Sequence, residues 1–214
     1  MTVFLTGATG YMGRELIPRL LARGHRLKAL VRPGSERKLP SGCEIVAGDA
    51  LNAATYRENI APADTFVHLV GVPHPAPWKG NQFRAVDLVS IREAVPAAVS
   101  AGIRHFVYLS VAQPAPIMQD YIEVRAEGER LLRESSLNAT FLRPWYVLGP
   151  GHYWPYLLLP GYWLGVLLPP TRSAARRLGL VTLHQMLAAL VSAVENPPAG
   201  IRVVDVPAIC QAVL

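Results

Sequence analysis

The sequence predicts an α/β protein with a doubly wound parallel sheet of the Rossmann type, and three observations support this. Short apolar runs recur along the chain. They alternate with longer segments whose apolar residues follow helical spacing. Glycine and proline mark most of the boundaries between the two kinds of segment. Such alternation is typical of βαβ units with right-handed crossovers, in which helices cover both faces of a parallel sheet.

The apolar runs have the length and composition of buried parallel strands. The first, Val3–Leu5, leads directly into a glycine-rich turn, and the second closes at Arg32-Pro33-Gly34. The predicted strands cover residues 3–5, 26–31, 44–47, 65–70, 104–109, 138–142 and 201–206.

Four segments carry apolar residues at helical spacing. The first begins after Gly13 and ends at Gly24, since glycine is the usual residue just beyond a helix. The second contains Pro96, which predicts a kink or an early break. The remaining helices are predicted over residues 82–101 (the segment with Pro96), 120–135 and 182–195.

One section departs from the alternation. Residues 149–179 are rich in Pro, Trp, Tyr and Leu and show no clear strand or helix pattern. We therefore expect a single domain over residues 1–214, with residues 150–180 forming a small C-terminal cap on the substrate side.

Composition narrows the class of protein. Of the 214 residues 51% are hydrophobic and 17% charged, which allows a large core and argues against disorder. The net charge of +6 suits an anionic ligand, but the basic residues are dispersed and no nucleic-acid motif accompanies them. We expect no nucleic-acid partner.

The two cysteines, Cys43 and Cys210, lack metal-ligand spacing, so free thiols and no metal site are expected. Residues 2–6 form a strand pattern and not a secretory leader, which favours a cytoplasmic protein. The most apolar stretch, Tyr153–Leu168, contains Pro155 and Pro160, and we expect no membrane-spanning segment.

The glycine-rich turn predicts a dinucleotide site. Gly7, Gly10 and Gly13 follow a strand and open a helix, where they permit a tight turn, a close approach to pyrophosphate and close packing of the helix on the strand. The helix N-terminus adds N–H groups and positive potential. An ordinary strand-to-helix turn is the alternative. The other candidate binding residues in this turn are Thr9, Tyr11 and Met12.

The end of the second strand indicates which cofactor binds. NAD sites place an acidic residue there for the ribose 2′-hydroxyl, whereas this chain has Arg32, followed by Arg37 and Lys38. These cations suit the 2′-phosphate of NADP(H), which we favour over NAD(H). A solvated basic loop would look the same.

Several motifs together resemble those of the atypical short-chain dehydrogenase/reductases. They are Thr6–Gly13, Gly48-Asp49, Phe106–Ser110, and Leu142–Pro144 with Gly149–Gly151. The resemblance is greatest to the NmrA-like, NAD(P)H-binding group, which includes relatives of the nucleotide-binding accessory subunit of respiratory complex I. It covers most of residues 2–151 and is specific for the superfamily, not for a substrate.

The resemblance implies further site residues. Asp49 and the adjacent Ala50 would lie near the adenine, and Val70 and Gly71 would pass the ribose. Ser110 matches the active-site serine and Tyr121 the tyrosine of a Tyr-x-x-x-Lys motif. The nicotinamide side would be lined by residues 144–147, of which Pro144 and Val147 are the candidates.

One position departs from the family pattern. Arg125 stands where the motif has lysine, four residues after Tyr121 and on the same helix face. We expect Arg125 to hold the ribose and to bias Tyr121, the acid/base, while Ser110 orients the substrate oxygen. A guanidinium is larger than an ammonium, so we expect this change to affect catalysis and not cofactor binding.

The histidines and the apolar stretch leave alternatives. His68 and His105 lie in strands and are expected to be structural, whereas His74 and His152 flank the predicted pocket. Tyr153–Leu168 would form a cap, a pocket lining or a dimer contact. Peripheral membrane contact, aided by Arg172, Arg176 and Arg177, is a less favoured alternative.

Two classes of function remain open. One is an NADP(H)-dependent oxidoreductase acting on a small or apolar carbonyl or quinone-like substrate, with a sugar-nucleotide-type epimerase or dehydratase as a variant. The other is a non-catalytic NADP(H)-binding redox sensor or assembly factor, which the change to Arg125 supports. The substrate is unidentified, and a homodimer is an open alternative to a monomer.

Overall fold

The computed structural model describes residues 1–150 and 169–213, which form a seven-stranded parallel sheet between two layers of helices. The strand order is β3-β2-β1-β4-β5-β6-β9, and β7 and β8 form a separate parallel pair. The predicted Rossmann-type fold is confirmed. The strands are β1 (Thr2–Thr6), β2 (Arg26–Val31), β3 (Glu44–Ala47), β4 (Thr65–His68), β5 (His105–Leu109), β6 (Asn138–Arg143), β7 (Tyr146–Leu148), β8 (Leu180–Thr182) and β9 (Ile201–Asp205).

The helices divide between the two faces of the sheet. The apolar sides of α1 and α5 pack on one face, and those of α2 and α3 pack on the other. The bounds are α1 (Tyr11–Ala22), α2 (Val89–Ser100), α3 (Gln119–Glu134), α4 (Arg172–Arg177), α5 (Leu183–Glu195) and α6 (Val206–Cys210).

The central strands are buried on both faces, which explains their continuous apolar sequences. In β1, Val3 and Leu5 belong to one core cluster and Phe4 to the other. On the second face the rings of Phe4 and Phe106 lie 5.1 and 4.8 Å from the ring of Phe66, centroid to centroid. This aromatic row fixes β1, β4 and β5 as the rigid centre of the sheet.

The expected early break at Pro96 is wrong. A helical turn at Gly80–Gln82 and a π-helical turn at Phe83–Leu88 lead into α2, which continues through Pro96 to Ser100. Proline removes only one N–H from the helix, and the buried residues around it, such as Ala94 and Ala98, supply packing that favours continuation. The π-helical turn directs both Phe83 and Asp87 into the protein.

The predicted cap lies mostly outside the described residues. His152 and Tyr153–Leu168 lie outside the described residues, and the cap over residues 150–180 stays a prediction. Its flanks are described: β7 pairs with β8, and α4 precedes β8. None of the helices in the described ranges is long and apolar enough to cross a membrane.

Candidate cofactor and active site

A cavity of about 380 Å³ opens at the carboxyl ends of β1, β4, β5 and β6. The chain leaves β1 and β4 toward opposite sides of the sheet order, and open α/β sheets bind ligands at such a switch point. Its walls are the glycine turn, the loop after β4, the end of β5, the start of α3 and the segment after β6.

The glycine turn has no room for a side chain at Gly7 or Gly13. Gly7 has φ +74°, and a Cβ there would lie 2.7 Å from the backbone of Leu69. At Gly13 a Cβ would lie 2.6 Å from the carbonyl oxygen of Ala8. The Gly10 N–H donates to the Gly7 carbonyl at 3.0 Å, which closes the turn. This bare backbone fits the close approach of a pyrophosphate.

The first turn of α1 has the electrostatics for an anion. Its N-cap, Gly10, has no side chain to cap the helix, and the first turn contains no acidic residue. Tyr11 and Met12 line the cavity, whereas Thr9 is half-buried in the turn outside the lining. The residues of this turn therefore fit the phosphates of a dinucleotide.

The predicted adenosine-side residues lie beyond the cavity, at the same edge of the sheet. Arg32 is exposed directly after β2, and Lys38 is exposed in the 3₁₀ turn Glu36–Lys38. After β3, the carboxylate of Asp49 accepts a hydrogen bond from the Leu51 N–H at 3.0 Å. Ala50 beside it is half-buried. None of these four predicted residues is among those lining the cavity.

Arg125 is buried beside the cavity, and its guanidinium is held by protein oxygens. Only 3% of its surface is exposed. Its Nη2 donates to Asp87 Oδ1 at 2.6 Å and to the Val70 carbonyl at 3.3 Å, and its Nη1 donates to the Leu109 carbonyl at 2.9 Å. Both terminal nitrogens of Arg125 are thus engaged. The third nitrogen of its guanidinium, Nε, has no hydrogen-bond partner among the described residues. The ribose contact expected for Arg125 stays a prediction, and in this structure its N–H groups bind protein oxygens.

The Asp87–Arg125 ion pair also explains why position 71 has no side chain. A Cβ on Gly71 would lie 3.1 Å from Asp87 Oδ1 and closer still to Arg125 Nη2. Gly71 lines the cavity, whereas the carbonyl of Val70 is directed to Arg125. The two residues expected to pass the ribose therefore also accommodate the ion pair.

Tyr121 faces the cavity on a rigid support. Its ring lies 4.8 Å from the Phe83 ring, centroid to centroid, and the Arg125 guanidinium carbon lies 5.1 Å from its centroid. Burial raises the pKa of Tyr121 above its ordinary value, although the Arg125 charge opposes this. The phenol is therefore protonated at neutral pH and suits a proton donor more than a base.

Ser110 is committed to a carboxylate below the cavity wall. Its Oγ donates to Glu129 Oε1 at 2.6 Å, and Glu129 also accepts from Arg143 Nε at 2.8 Å and from Arg133 Nη2 at 2.9 Å. Burial raises the pKa of Glu129, but the hydrogen bonds from Arg143 and Ser110 outweigh it and the pKa is lowered. The Ser110 hydroxyl therefore donates its hydrogen bond to this carboxylate, and its oxygen remains an acceptor.

The remaining predicted wall residues, Pro144 and Val147, line the cavity together with Trp145 and Tyr146. His74 also lines it, at φ +50° in the loop after β4. The structure thus brings together the glycine turn, Gly71, Ser110, Tyr121, Arg125, Pro144 and Val147, and leaves Thr9, Arg32, Lys38, Asp49, Ala50 and Val70 outside the lining.

Two buried carboxylates were missed by sequence reasoning. Glu129 lies four residues beyond Arg125, so the spacing that places Tyr121 and Arg125 on one face of α3 extends to it and offered a signal. Asp87 had no such signal, because its inward direction depends on the π-helical turn.

The strand histidines have structural contacts, as expected. His68 Nδ1 lies 2.9 Å from Thr6 Oγ1 and its Nε2 lies 3.2 Å from Ser90 Oγ. His105 Nε2 lies 2.9 Å from Thr140 Oγ1. Burial lowers the pKa of His68 to about 3 and that of His105 to about 4, so both rings are neutral at pH 7.

Comparison with known proteins identifies a family model, described as NAD(P)H-binding, that matches residues 7–150. The matched range contains the glycine turn, Ser110, Tyr121 and Arg125.

Two curated relatives are reductases. The ceramide reductase of Caulobacter vibrioides is 29% identical over 203 residues, covering 93% of this chain and 62% of that protein. The 3-diazoavenalumate denitrifying reductase of a Streptomyces species is 30% identical over 229 residues, covering 94% of this chain and 74% of that protein. The chain thus spans less than two thirds of the first relative's length.

The fold also matches solved structures. WbmH of Bordetella bronchiseptica, solved in complex with NAD+, superposes with a TM-score of 0.70 at 20% identity, covering 95% of this chain and 75% of that one. At this identity the likeness shows the fold alone.

Proposed function

Because the chain belongs to the NAD(P)H-binding family, we propose that it is an NADP(H)-dependent oxidoreductase reducing a carbonyl or quinone-like group on a small or apolar substrate. The observation that carries this proposal is the placement of a protonated tyrosine, Tyr121, in the cavity that the glycine turn also lines.

The residues divide the work between binding and proton transfer. The turn Gly7–Gly13 and the start of α1 would hold the pyrophosphate, and Pro144 and Val147 would lie beside the nicotinamide. The bound cofactor supplies the hydride that a carbonyl carbon accepts. Tyr121 donates its phenolic proton to the carbonyl oxygen, and the Asp87–Arg125 pair fixes its ring. Ser110 accepts a hydrogen bond from a neighbouring hydroxyl or N–H.

The preference for NADP(H) rests on the end of β2. Arg32 is exposed where an NAD site would have a carboxylate, and Lys38 lies in the following turn. Exposed cations at this place suit a 2′-phosphate, which would be repelled by an acidic residue.

The lining of the cavity favours an apolar substrate. The cavity that Tyr121 lines has apolar walls contributed by Met12, Val72, Val111 and Met118. A relative named ceramide reductase acts, by its name, on a lipid, which supports the same class of substrate here.

Replacing the tyrosine tests the proposal. In Tyr121→Phe we expect kcat for NADPH-dependent reduction of a panel of aliphatic ketones and quinones to fall about 100-fold or more, because the proton donor is lost. NADPH oxidation at its absorbance band measures turnover, and isothermal titration measures cofactor affinity, which should stay within about threefold.

Tyr56→Phe is the matched control, since Tyr56 is buried in a core cluster and does not line the cavity. A Tyr121→Phe enzyme with the activity of the Tyr56→Phe control would overturn the catalytic role. The engagement of both Ser110 and Arg125 with protein groups favours a second candidate, a cofactor-binding protein without turnover. It predicts tight NADPH binding with no substrate in the panel reduced.

A further inference from the structure

Two loops at the rim of the cavity expose large apolar side chains. Trp78 is 83% exposed and follows the cavity-lining residues 72–75. Ile117 is 51% exposed and directly precedes Met118, which also lines the cavity. Exposing most of an indole to water is unfavourable, so a side chain in this position is suited to a partner with an apolar layer.

Cations accompany both side chains. Lys79 follows Trp78, and its Nζ donates to the Pro73 carbonyl at 2.8 Å, which keeps the ammonium at the rim. Arg177 Nε donates to the Pro114 carbonyl at 3.0 Å, so α4 lies against the loop that carries Ile117. Arg176, on the same helix, is exposed. We call Trp78, Lys79, Ile117, Arg176 and Arg177 the mouth surface.

Acidic residues are almost absent around the mouth surface. The sequence has no Asp or Glu between Asp64 and Asp87, and none between Glu134 and Glu195. The nearby carboxylates at the start of α3, Asp120 and Glu123, form ion pairs with Arg84. The four cations Lys79, Arg84, Arg176 and Arg177 outnumber these two carboxylates, so the net charge around the mouth surface is positive.

We propose that the mouth surface docks on an anionic bilayer, with Trp78 and Ile117 entering the headgroup region and the cations of Lys79 and α4 contacting lipid phosphates. Indole rings are favoured at the membrane–water interface, and flanking lysines and arginines attract anionic lipids. A duplex nucleic acid would gain from the charge but not from a buried indole and isoleucine. The cavity then opens toward the membrane, from which an apolar substrate enters. This last step rests on the proposed function, whereas docking itself does not.

Vesicle binding tests the proposal on the full chain without cofactor. We expect co-sedimentation with vesicles of phosphatidylcholine and phosphatidylglycerol at low ionic strength, little binding to phosphatidylcholine alone, and weaker binding as salt is added. Trp78→Ala and Arg176→Glu should each lower the partition coefficient about fivefold or more.

Matched controls lie on distant surfaces. Ile45 on β3 is exposed and apolar, and Arg26 is exposed at the amino end of β2. Ile45→Ser and Arg26→Glu should bind the anionic vesicles within about twofold of the unmodified chain. Circular dichroism establishes that every variant is folded.

The proposal is overturned if the folded chain does not bind the anionic vesicles at low salt, or if the controls lose as much binding as the mouth-surface variants. It is also overturned if duplex DNA binds as tightly with the same dependence on Trp78. NADPH affinity of Trp78→Ala, expected to be unchanged, is measured separately. Failure of cofactor binding would count against the proposed function, and failure of vesicle binding against docking alone.

Discussion

A guanidinium at position 125 changes the chemistry available to the site. A lysine four residues after the tyrosine would be a compact ammonium able to reach the cofactor, whereas Arg125 extends between β4 and β5 and pairs with Asp87. Neither side chain is appreciably exposed. Removing one partner of such a pair leaves a buried charge without compensation. The two residues therefore act as one unit that supports Tyr121.

The ion pair predicts strong coupling in a double-mutant cycle. Asp87→Asn and Arg125→Met should each lower the free energy of unfolding by about 3–5 kcal/mol, and the double variant should lose clearly less than the sum. Urea denaturation followed by circular dichroism measures all four proteins. The exposed pair Arg84–Asp120 is the control, with a coupling of about 1 kcal/mol or less. If the losses of unfolding free energy for the Asp87 and Arg125 variants were additive, the claim that the two residues act as one unit would be wrong.

Individual site residues differed in how far sequence could locate them. The glycine turn follows from local spacing, and so does the shared helix face of Tyr121 and Arg125. The hydrogen bond that Ser110 donates to Glu129 could not be predicted from the sequence, because the two side chains meet only after α3 packs on β5 and β6. Hydrogen-bond direction at a buried site is a property of the assembled fold and not of residue spacing.

Among the elements, β2 allows the effect of a cation at the cofactor site to be compared with that of a cation elsewhere on the surface. Its two ends carry exposed arginines, Arg26 at the amino end and Arg32 just beyond the carboxyl end. In a parallel sheet only the carboxyl end adjoins the dinucleotide site.

This arrangement predicts different effects of two similar substitutions. Arg32→Ala should weaken NADPH binding about tenfold or more through loss of a charge-assisted contact, and leave NADH binding within about twofold. Arg26→Ala should change neither affinity. Isothermal titration with both cofactors gives the four constants. NADPH binding that is unaffected by Arg32→Ala would refute the assignment of the 2′-phosphate contact.

The bounds of the strands were predicted best where turn residues mark their ends. β2 and β3 have the predicted bounds, since their ends coincide with turn residues. β4 ends at His68, two residues earlier than predicted, because the chain leaves the ladder where Leu69 and Gly71 line the cavity. The apolar sequence of this segment did not show where the strand ends and the cavity lining begins. The π-helical turn Phe83–Leu88 has no local signature, and packing of Phe83 against Tyr121 favours it.

In the whole molecule, buried neutral histidines link stability to pH. The folded pKa of His68 is about 3, below the ordinary value of about 6.5 for an unfolded chain. The unfolded state therefore binds more protons between these values. The stability from neutral His68 is complete above about pH 6.5 and is lost progressively as pH falls toward 3.

We therefore expect His68 to lower the free energy of unfolding by about 2 kcal/mol between pH 7 and pH 5, with His105 acting in the same direction. Urea denaturation at the two pH values measures this. His68→Gln should flatten the dependence, whereas His184→Gln, at an exposed position on α5, should not. Equal or greater stability at pH 5 in the unmodified protein would disprove the linkage.

The arrangement of the whole sheet was foreseeable, whereas the convergence of its loops was not. Alternating strands and helices with right-handed crossovers restrict the topology to a few forms, and the switch point beside β1 follows. Trp78, Ile117 and Arg177 are far apart in sequence and come to one rim only because the loops after β4 and β5 and the helix before β8 lie near the cavity. No pattern within any one segment indicates that meeting.

Cofactor binding by the cavity is decided most directly by titrating the folded protein with NADPH and NADH under identical conditions. We predict saturable binding of one cofactor per chain, tighter for NADPH, because under our proposal Gly7–Gly13 would accept the pyrophosphate and Arg32 would bind the 2′-phosphate. A folded chain that binds neither cofactor would contradict this assignment of the site.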